Sequence, residues 1–150
     1  MIELRSEGAE FSTVELDRVE CLALLRQARL GRVVLSVDCL PVALPVNLTL
    51  DGEDVVFYTN TGAKTDAAVA GQVVSVEVDD IDPVYHTGWS VLLTGVAEVV
   101  TDPEELAAVA EHLRPWAPGP HPFLVKVHST LISGRRLMWC AVQKADSEAS

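Results

Sequence analysis

An apolar strand, a Thr/Gly turn and a lysine follow one another in Val55-Val56-Phe57-Tyr58-Thr59-Asn60-Thr61-Gly62-Ala63-Lys64-Thr65-Asp66, and small residues that read as a helix come next. That order of residue types suits an anion. Free backbone N–H groups at the turn, the positive end of a helix dipole and the Lys64 ammonium would converge where a phosphate could sit. One lysine and one glycine are far less specific than a P-loop, so the same pattern also describes a solvated lysine after an ordinary strand-to-helix turn.

Rival chemistry is thin. Cys21, Cys39 and Cys140 are odd in number and far apart, which reads as reduced thiols. The four histidines (86, 112, 121 and 128) form no short ligand pair, and His121 and His128 are seven apart, on opposite sides of a strand. No metal is expected. No Ser-His-Asp or Cys-His set is recognisable, Asp79, Asp80 and Asp82 read as a solvated turn, and no catalytic side chain is assigned.

A formal charge of −11 argues against a nucleic-acid surface or an anionic membrane, since both need clustered Lys and Arg. An anionic ligand must therefore be held by local groups. Lysine occurs only at 64, 126 and 144, and the arginines gather at 26 to 32, at 114 and at 135–136. No basic-then-apolar leader is visible and no apolar run nears the ~20 residues of a membrane span, so a cytoplasmic protein is expected. At 150 residues the chain suits one domain, residues 1–142, followed by a polar tail at 143–150. Hydrophobic residues make up 49% and aromatic ones 5%, so Val, Leu and Ala must do the packing.

The elements that would position Lys64 follow from the patterning. Ser12-Thr13-Val14-Glu15 is a capping-box pattern, and Cys21, Leu24, Leu25 and Ala28 repeat at helical spacing, which predicts a helix over 14–29 ending near Gly31. Strands are expected at 32–37, 42–50 and 54–59, with a turn at Asp51-Gly52-Glu53 that puts Asn47 and Thr59 on neighbouring antiparallel strands. A short helix from Gly62 to Ala70 leads to a strand whose Val74, Val76 and Val78 alternate with polar residues. A loop from Asp79 to Gly88 returns the chain into a long strand from Trp89 to about Val100. Asp102-Pro103-Glu104-Glu105 starts a helix that stops before Pro115. The segment Arg114-Pro115-Trp116-Ala117-Pro118-Gly119-Pro120 is irregular, and a last strand runs from Phe123 to about Val127. The fold class is mainly β (α+β), a partly closed barrel of about six antiparallel strands with peripheral helices.

Pro45-Val46-Asn47, Phe57-Tyr58-Thr59 followed by Lys64, Gly88-Trp89-Ser90-Val91-Leu92 and a late Ser133-Gly134-Arg135-Arg136 stand in an order that resembles the pyridoxamine 5'-phosphate oxidase-like FMN-binding split barrels. The nitroimidazole-reductase-like branch is the nearest in pattern. The resemblance spans roughly residues 14 to 137 and implies an FMN-dependent oxidoreductase that works as a homodimer, with cofactor sites at the interface. It makes Lys64 the phosphate clamp, helped by Thr59, Asn60 and Thr61. Pro45, Val46 and Asn47 would lie along the ring, Trp89 and Ser90 would approach from the next strand, and Arg136 would come from the neighbouring subunit. Lys64 and Trp89 would thus belong to one chain and the completing loop to the other. Read from the residues alone, Asn47 could equally face solvent, Trp89 could close the core, and Trp116 reads as a loop anchor or interface residue rather than a ring-stacker.

Two departures from the family pattern bear on activity. Ala63 stands where the true oxidases carry a basic residue and reductase relatives often place a histidine, and the Arg/His substrate pattern of the oxidases is absent near Arg135 and Arg136. Vitamin B6 oxidation is therefore not expected. Three readings stay open: an FMN oxidoreductase passing hydride between NADH or NADPH, the flavin and a small molecule; a deazaflavin-dependent reductase of the same fold; and a non-catalytic flavin-binding or sensor protein.

Overall fold

The computed structural model describes residues 9–60, 62–116 and 122–141. Among these residues there are eight antiparallel strands and three helices: β1 (Ala9–Leu16), α1 (Arg18–Gln27), β2 (Leu30–Val37), β3 (Leu40–Asp51), β4 (Asp54–Thr59), α2 (Ala63–Val69), β5 (Val73–Asp82), β6 (Thr87–Val99), α3 (Pro103–Ala110), β7 (Phe123–Val127) and β8 (Leu131–Ala141). Six of them close a barrel in the order β6-β5-β2-β3-β4-β7, with β7 pairing back onto β6. The barrel is the expected one. β8 and β1 extend the sheet beyond β6, so two further strands flank it.

The largest departure from the sequence reading is at the start. Residues 14–16, expected as helix, belong to β1, whose residues pair with β8 from Ala9↔Ala141 to Leu16↔Gly134. Ser12, Thr13 and Val14 have the β-branched and hydroxyl character a strand accepts, and β8 offers an edge for them. The true cap lies further on. Asp17 Oδ1 accepts from the Glu20 N–H and Glu20 Oε2 accepts from the Asp17 N–H, both at 2.9 Å, so Asp17-x-x-Glu20 is the capping box. The sequence places the last strand at 123–127, whereas β8 (Leu131–Ala141) follows it; its Leu131-Ile132 start has strand composition. The expected loop at 79–88 is also shorter: β5 continues to Asp82, whose carboxylate accepts from the Val84 and Tyr85 N–H groups and turns the chain into β6. The polar tail proposed for 143–150 and His121 lie outside the described residues.

Alternation fills the barrel. Val33 and Leu35 of β2, Leu48 of β3, Val74, Val76 and Val78 of β5, and Val91 and Leu93 of β6 point inward with Phe57, and all are buried. β4 reads Val55-Val56-Phe57 without alternation because both its faces are covered. Val55 and Phe57 face the barrel, while Val56 joins Val100, Val109, Leu113 and Leu124 in a second cluster beneath α3. The seam between β6 and β7 depends on Gly95, where a Cβ would collide with the backbone carbonyl of His128. α3 starts as expected, with Asp102 accepting from the Glu104 N–H and Pro103 in the first turn.

Candidate functional site

Three neighbouring pieces of chain meet outside the barrel wall: β3 at Pro45-Val46-Asn47, the end of β4 with the turn into α2, and the segment after α3. They enclose a cavity of about 250 Å³. Pro45, Val46, Asn47, Thr59, Asn60 and Lys64 line it, so six of the sequence-predicted positions come together. The register explains this. The β3–β4 ladder runs from Asp51↔Asp54 to Leu48↔Phe57, which leaves Asn47 and Thr59 near the open ends of adjacent strands. Thr61 lies outside the described residues.

The turn is fixed from below. The Thr65 hydroxyl, buried in the first turn of α2, donates to the Asn60 carbonyl at 2.6 Å, and the Thr59 hydroxyl donates to the same oxygen at 3.2 Å. Lys64 is thereby carried on a fastened helix start. α2 has only seven residues and Asp66 stands in its first turn, so the lysine charge outweighs any dipole contribution. Burial lowers the Lys64 pKa, and no carboxylate pairs with it among the described residues. An unpaired, partly desolvated ammonium favours an incoming anion, because part of its hydration has already been given up.

The rest of the lining is mainly apolar. Leu30, Tyr58, Pro115, Trp116 and Pro122 join Pro45 and Val46, and burial raises the Tyr58 phenol above its ordinary pKa. The half-buried Asn47 amide is tied to the chain rather than free. Its Nδ2 donates to the Arg114 carbonyl at 2.9 Å and ties the segment after α3 across the cavity. Sequence reasoning gave Tyr58, Trp116 and Arg114 no ligand role. Tyr58 carried a usable signal, since it stands beside Thr59 at the strand end; the place of the 114–116 segment depends on a contact 67 positions away in sequence and had none.

Trp89, Ser90 and Arg136 do not line this cavity. Trp89 and Arg136 are cross-strand partners between β6 and β8, and Ser90 pairs with Arg135. Neighbouring residues on a strand point to opposite faces, and Trp89 packs partly buried against the core. Trp89 and Ser90 therefore serve different sides of the sheet, and Trp89 travels with Arg136 rather than with Lys64.

A slot with apolar walls, an unpaired cation at one end and polar strand ends beside it fits a planar ligand with a phosphate tail. Against known proteins, the family model described as pyridoxamine 5'-phosphate oxidase matches residues 17–136. The chain belongs to the pyridoxamine 5'-phosphate oxidase family. It is similar to the protein Rv0080 of Mycobacterium tuberculosis, 41% identical over 131 residues, which is 83% of this chain and 86% of the relative. Among solved structures, the FAD binding protein from Mycobacterium smegmatis is 36% identical with a TM-score of 0.72, over 82% of this chain and 97% of that one. A FAD-binding protein from Mesorhizobium loti, at 20% identity, shares the fold with a TM-score of 0.72, over 86% of this chain and 99% of that one. No helix among the described residues is long and apolar enough to cross a membrane.

Proposed function

We propose that this family member binds a flavin nucleotide with its phosphate at Lys64 and its ring in the slot formed by Pro45, Val46 and Tyr58, and that it acts as an oxidoreductase on a small molecule. The observation that carries this is Lys64: in a chain of charge −11 it has no carboxylate partner among the described residues and lines an apolar slot. The FAD-binding relative from Mycobacterium smegmatis supports the choice of a flavin. FMN and FAD share the ring and the first phosphate, so the Lys64 pocket serves either.

A bound flavin supplies the hydride chemistry. The chain's own task is placement. Lys64 neutralises the phosphate, Leu30, Pro45 and Val46 exclude water, and the Asn47 bond to Arg114 holds Pro115 and Trp116 over the slot. NADH or NADPH is the proposed donor. A homodimer belongs to the same reading, for a cavity of about 250 Å³ is smaller than the ~300–1,000 Å³ usual for whole ligands. A second copy would complete it, and the outward residues Val73, Leu92, Val96 and Leu131 leave apolar surface for such a contact. Because Trp89 pairs with Arg136, a copy that lends one lends the other.

The test is a visible absorption titration of the purified protein with FMN, FAD and a deazaflavin, followed by NADH or NADPH. Bound flavin that bleaches with the donor supports the oxidoreductase. Bound flavin that never reduces leaves a binding or sensor protein, binding of deazaflavin alone replaces the cofactor, and no binding removes the proposal.

A further inference from the structure

The slot has a neighbour. A second cavity of about 350 Å³ adjoins it, and Asn47, Arg114 and Trp116 line both. Its other walls include Arg29, Glu111 and His112. The partition is thin: the Asn47 amide bound to the Arg114 carbonyl, with Trp116 beside it. Arg29 is placed there by the fold, because its own carbonyl accepts from the Leu48 N–H at 3.0 Å, which ties the end of α1 to β3 one residue from Asn47.

Three cations stand around the two cavities. Arg18, Arg32 and Lys126 each have a carboxylate within ion-pair distance. Among the described residues, Arg29, Lys64 and Arg114 have none, and neither do Arg26, Arg135 and Arg136 elsewhere, in a chain with twice as many acidic as basic groups, 22 against 11. Arg29 Nη1 donates to the Arg26 and Ala28 carbonyls at 3.3 and 3.1 Å, which holds the side chain at the C-terminal end of α1 and leaves its remaining N–H donors free. Glu111 is the one acid in the lining and opposes an anion; two arginines stand against it. Three cations kept unpaired along one continuous trough define a path for more than one negative group.

We propose that the second cavity is a phosphoryl subsite, in which Arg29 and Arg114 hold a second phosphate beyond the one at Lys64. The proposal rests on the flavin reading of the first cavity. The second phosphate has two sources: the far half of a flavin dinucleotide, whose pyrophosphate would pass the Asn47–Arg114 partition, or a separate adenine nucleotide beside FMN. Trp116, 69% exposed and bordering both cavities, offers a ring face to an adenine in either case.

The experiment is calorimetric titration of the wild type and Arg29→Gln with FMN, FAD, ADP and inorganic pyrophosphate. Arg29 lines only the second cavity, and its side chain holds none of the first. The expected result is that FAD binds at least about tenfold tighter than FMN, and that Arg29→Gln removes this advantage while leaving FMN affinity unchanged. FMN and ADP bound together, with ADP lost in Arg29→Gln, would assign the subsite to a separate nucleotide. FAD, ADP and pyrophosphate binding that is identical in both proteins would overturn the subsite even where FMN still binds. If no flavin binds the wild type, the flavin reading fails, while ADP or pyrophosphate binding that disappears in Arg29→Gln still upholds the subsite. Arg114→Gln is a second check, because Asn47 holds the Arg114 backbone carbonyl and that bond survives the change.

Discussion

The Asn47 side chain, on β3, donates to the backbone carbonyl of Arg114 at 2.9 Å, and this one bond joins the barrel wall to the segment that covers the candidate site. It decides what the rest of the segment can do, since Pro115 and Trp116 follow directly. Replacing Asn47 by Leu removes the donor and leaves the carbonyl to water. The bond is exposed, so the cost is about 1 kcal/mol, roughly a fivefold change in the local opening equilibrium. Hydrogen exchange at residues 113–116 should accelerate by that factor with the melting temperature nearly unchanged. Unaltered exchange would show that the segment is held by packing instead.

Lys64→Ala is expected to weaken flavin binding about 10- to 100-fold, the range for losing one charge-assisted contact, with no loss of fold. The direction of its pH dependence follows from burial, which lowers the Lys64 pKa. Above that lowered value the free folded protein has shed a proton that the unfolded chain keeps, so its stability rises with pH across the window between the two. A bound phosphate reverses this by favouring the ammonium. Flavin affinity should therefore fall as pH rises through the same window, with proton uptake on binding, measurable by calorimetry in two buffers of different ionisation enthalpy. In Lys64→Ala the uptake should vanish.

Glu77 gives a second, independent handle. Burial, then the hydrogen bond that the protonated Glu77 carboxyl donates to Asp79 two residues along the same face of β5, then the Asp79 charge, push its carboxyl up to about 7, against the opposing pull of Arg32 on β2. A carboxyl raised in the folded state favours the fold while protonated, and that contribution is lost as pH rises from the ordinary carboxylate range through about 7. Glu77→Gln keeps a donor toward Asp79 and cannot ionise. It should match the wild type near pH 5 and exceed it near pH 8 by on the order of 1 kcal/mol, read from urea midpoints. Equal midpoints at both values would mean that Glu77 titrates as an ordinary surface acid.

That Thr59, Asn60 and Lys64 come together at one turn was legible in the sequence because the cues are local: strand, turn and lysine lie within twelve residues. The barrel was legible because Val74, Val76 and Val78 of β5 alternate with polar residues and because β-rich runs are separated by local turn signals such as Asp51-Gly52. What stayed hidden was non-local. β1 looked like a helix start, since Ser12-x-x-Glu15 and Asp17-x-x-Glu20 satisfy the same capping rule and only the edge of β8 decides between them. Trp116 looked like a loop anchor because no spacing reveals that Asn47 holds its segment over a cavity. Trp89 and Ser90 were grouped as neighbours in sequence, whereas the pleat sends them to opposite faces.

The last prediction concerns the joint beneath α3. Lys126 of β7 is only 7% exposed and its ammonium bonds Glu105 of α3 and Asp51 at the end of β3. Burial alone would pull its pKa down, but the hydrogen bonds and charges of Glu105 and Asp51 outweigh that and hold it above the ordinary lysine value. Lys126→Met leaves both carboxylates without their cation. Since these are about a third exposed, the expected cost is about 1–3 kcal/mol rather than the larger figure of a fully buried pair. The sign in alkali is set by the raised pKa: the stabilisation is complete below the unfolded lysine value of about 10.4 and fades as pH climbs through the higher folded one. Melting temperatures measured from pH 8 to 12 should therefore show a gap between wild type and Lys126→Met that closes at the alkaline end. Because Glu105 sits on α3, hydrogen exchange in residues 103–113 should rise in the mutant ahead of the barrel strands. A gap that stays constant to pH 12 would assign the cost to lost packing of the lysine stem and not to its charge.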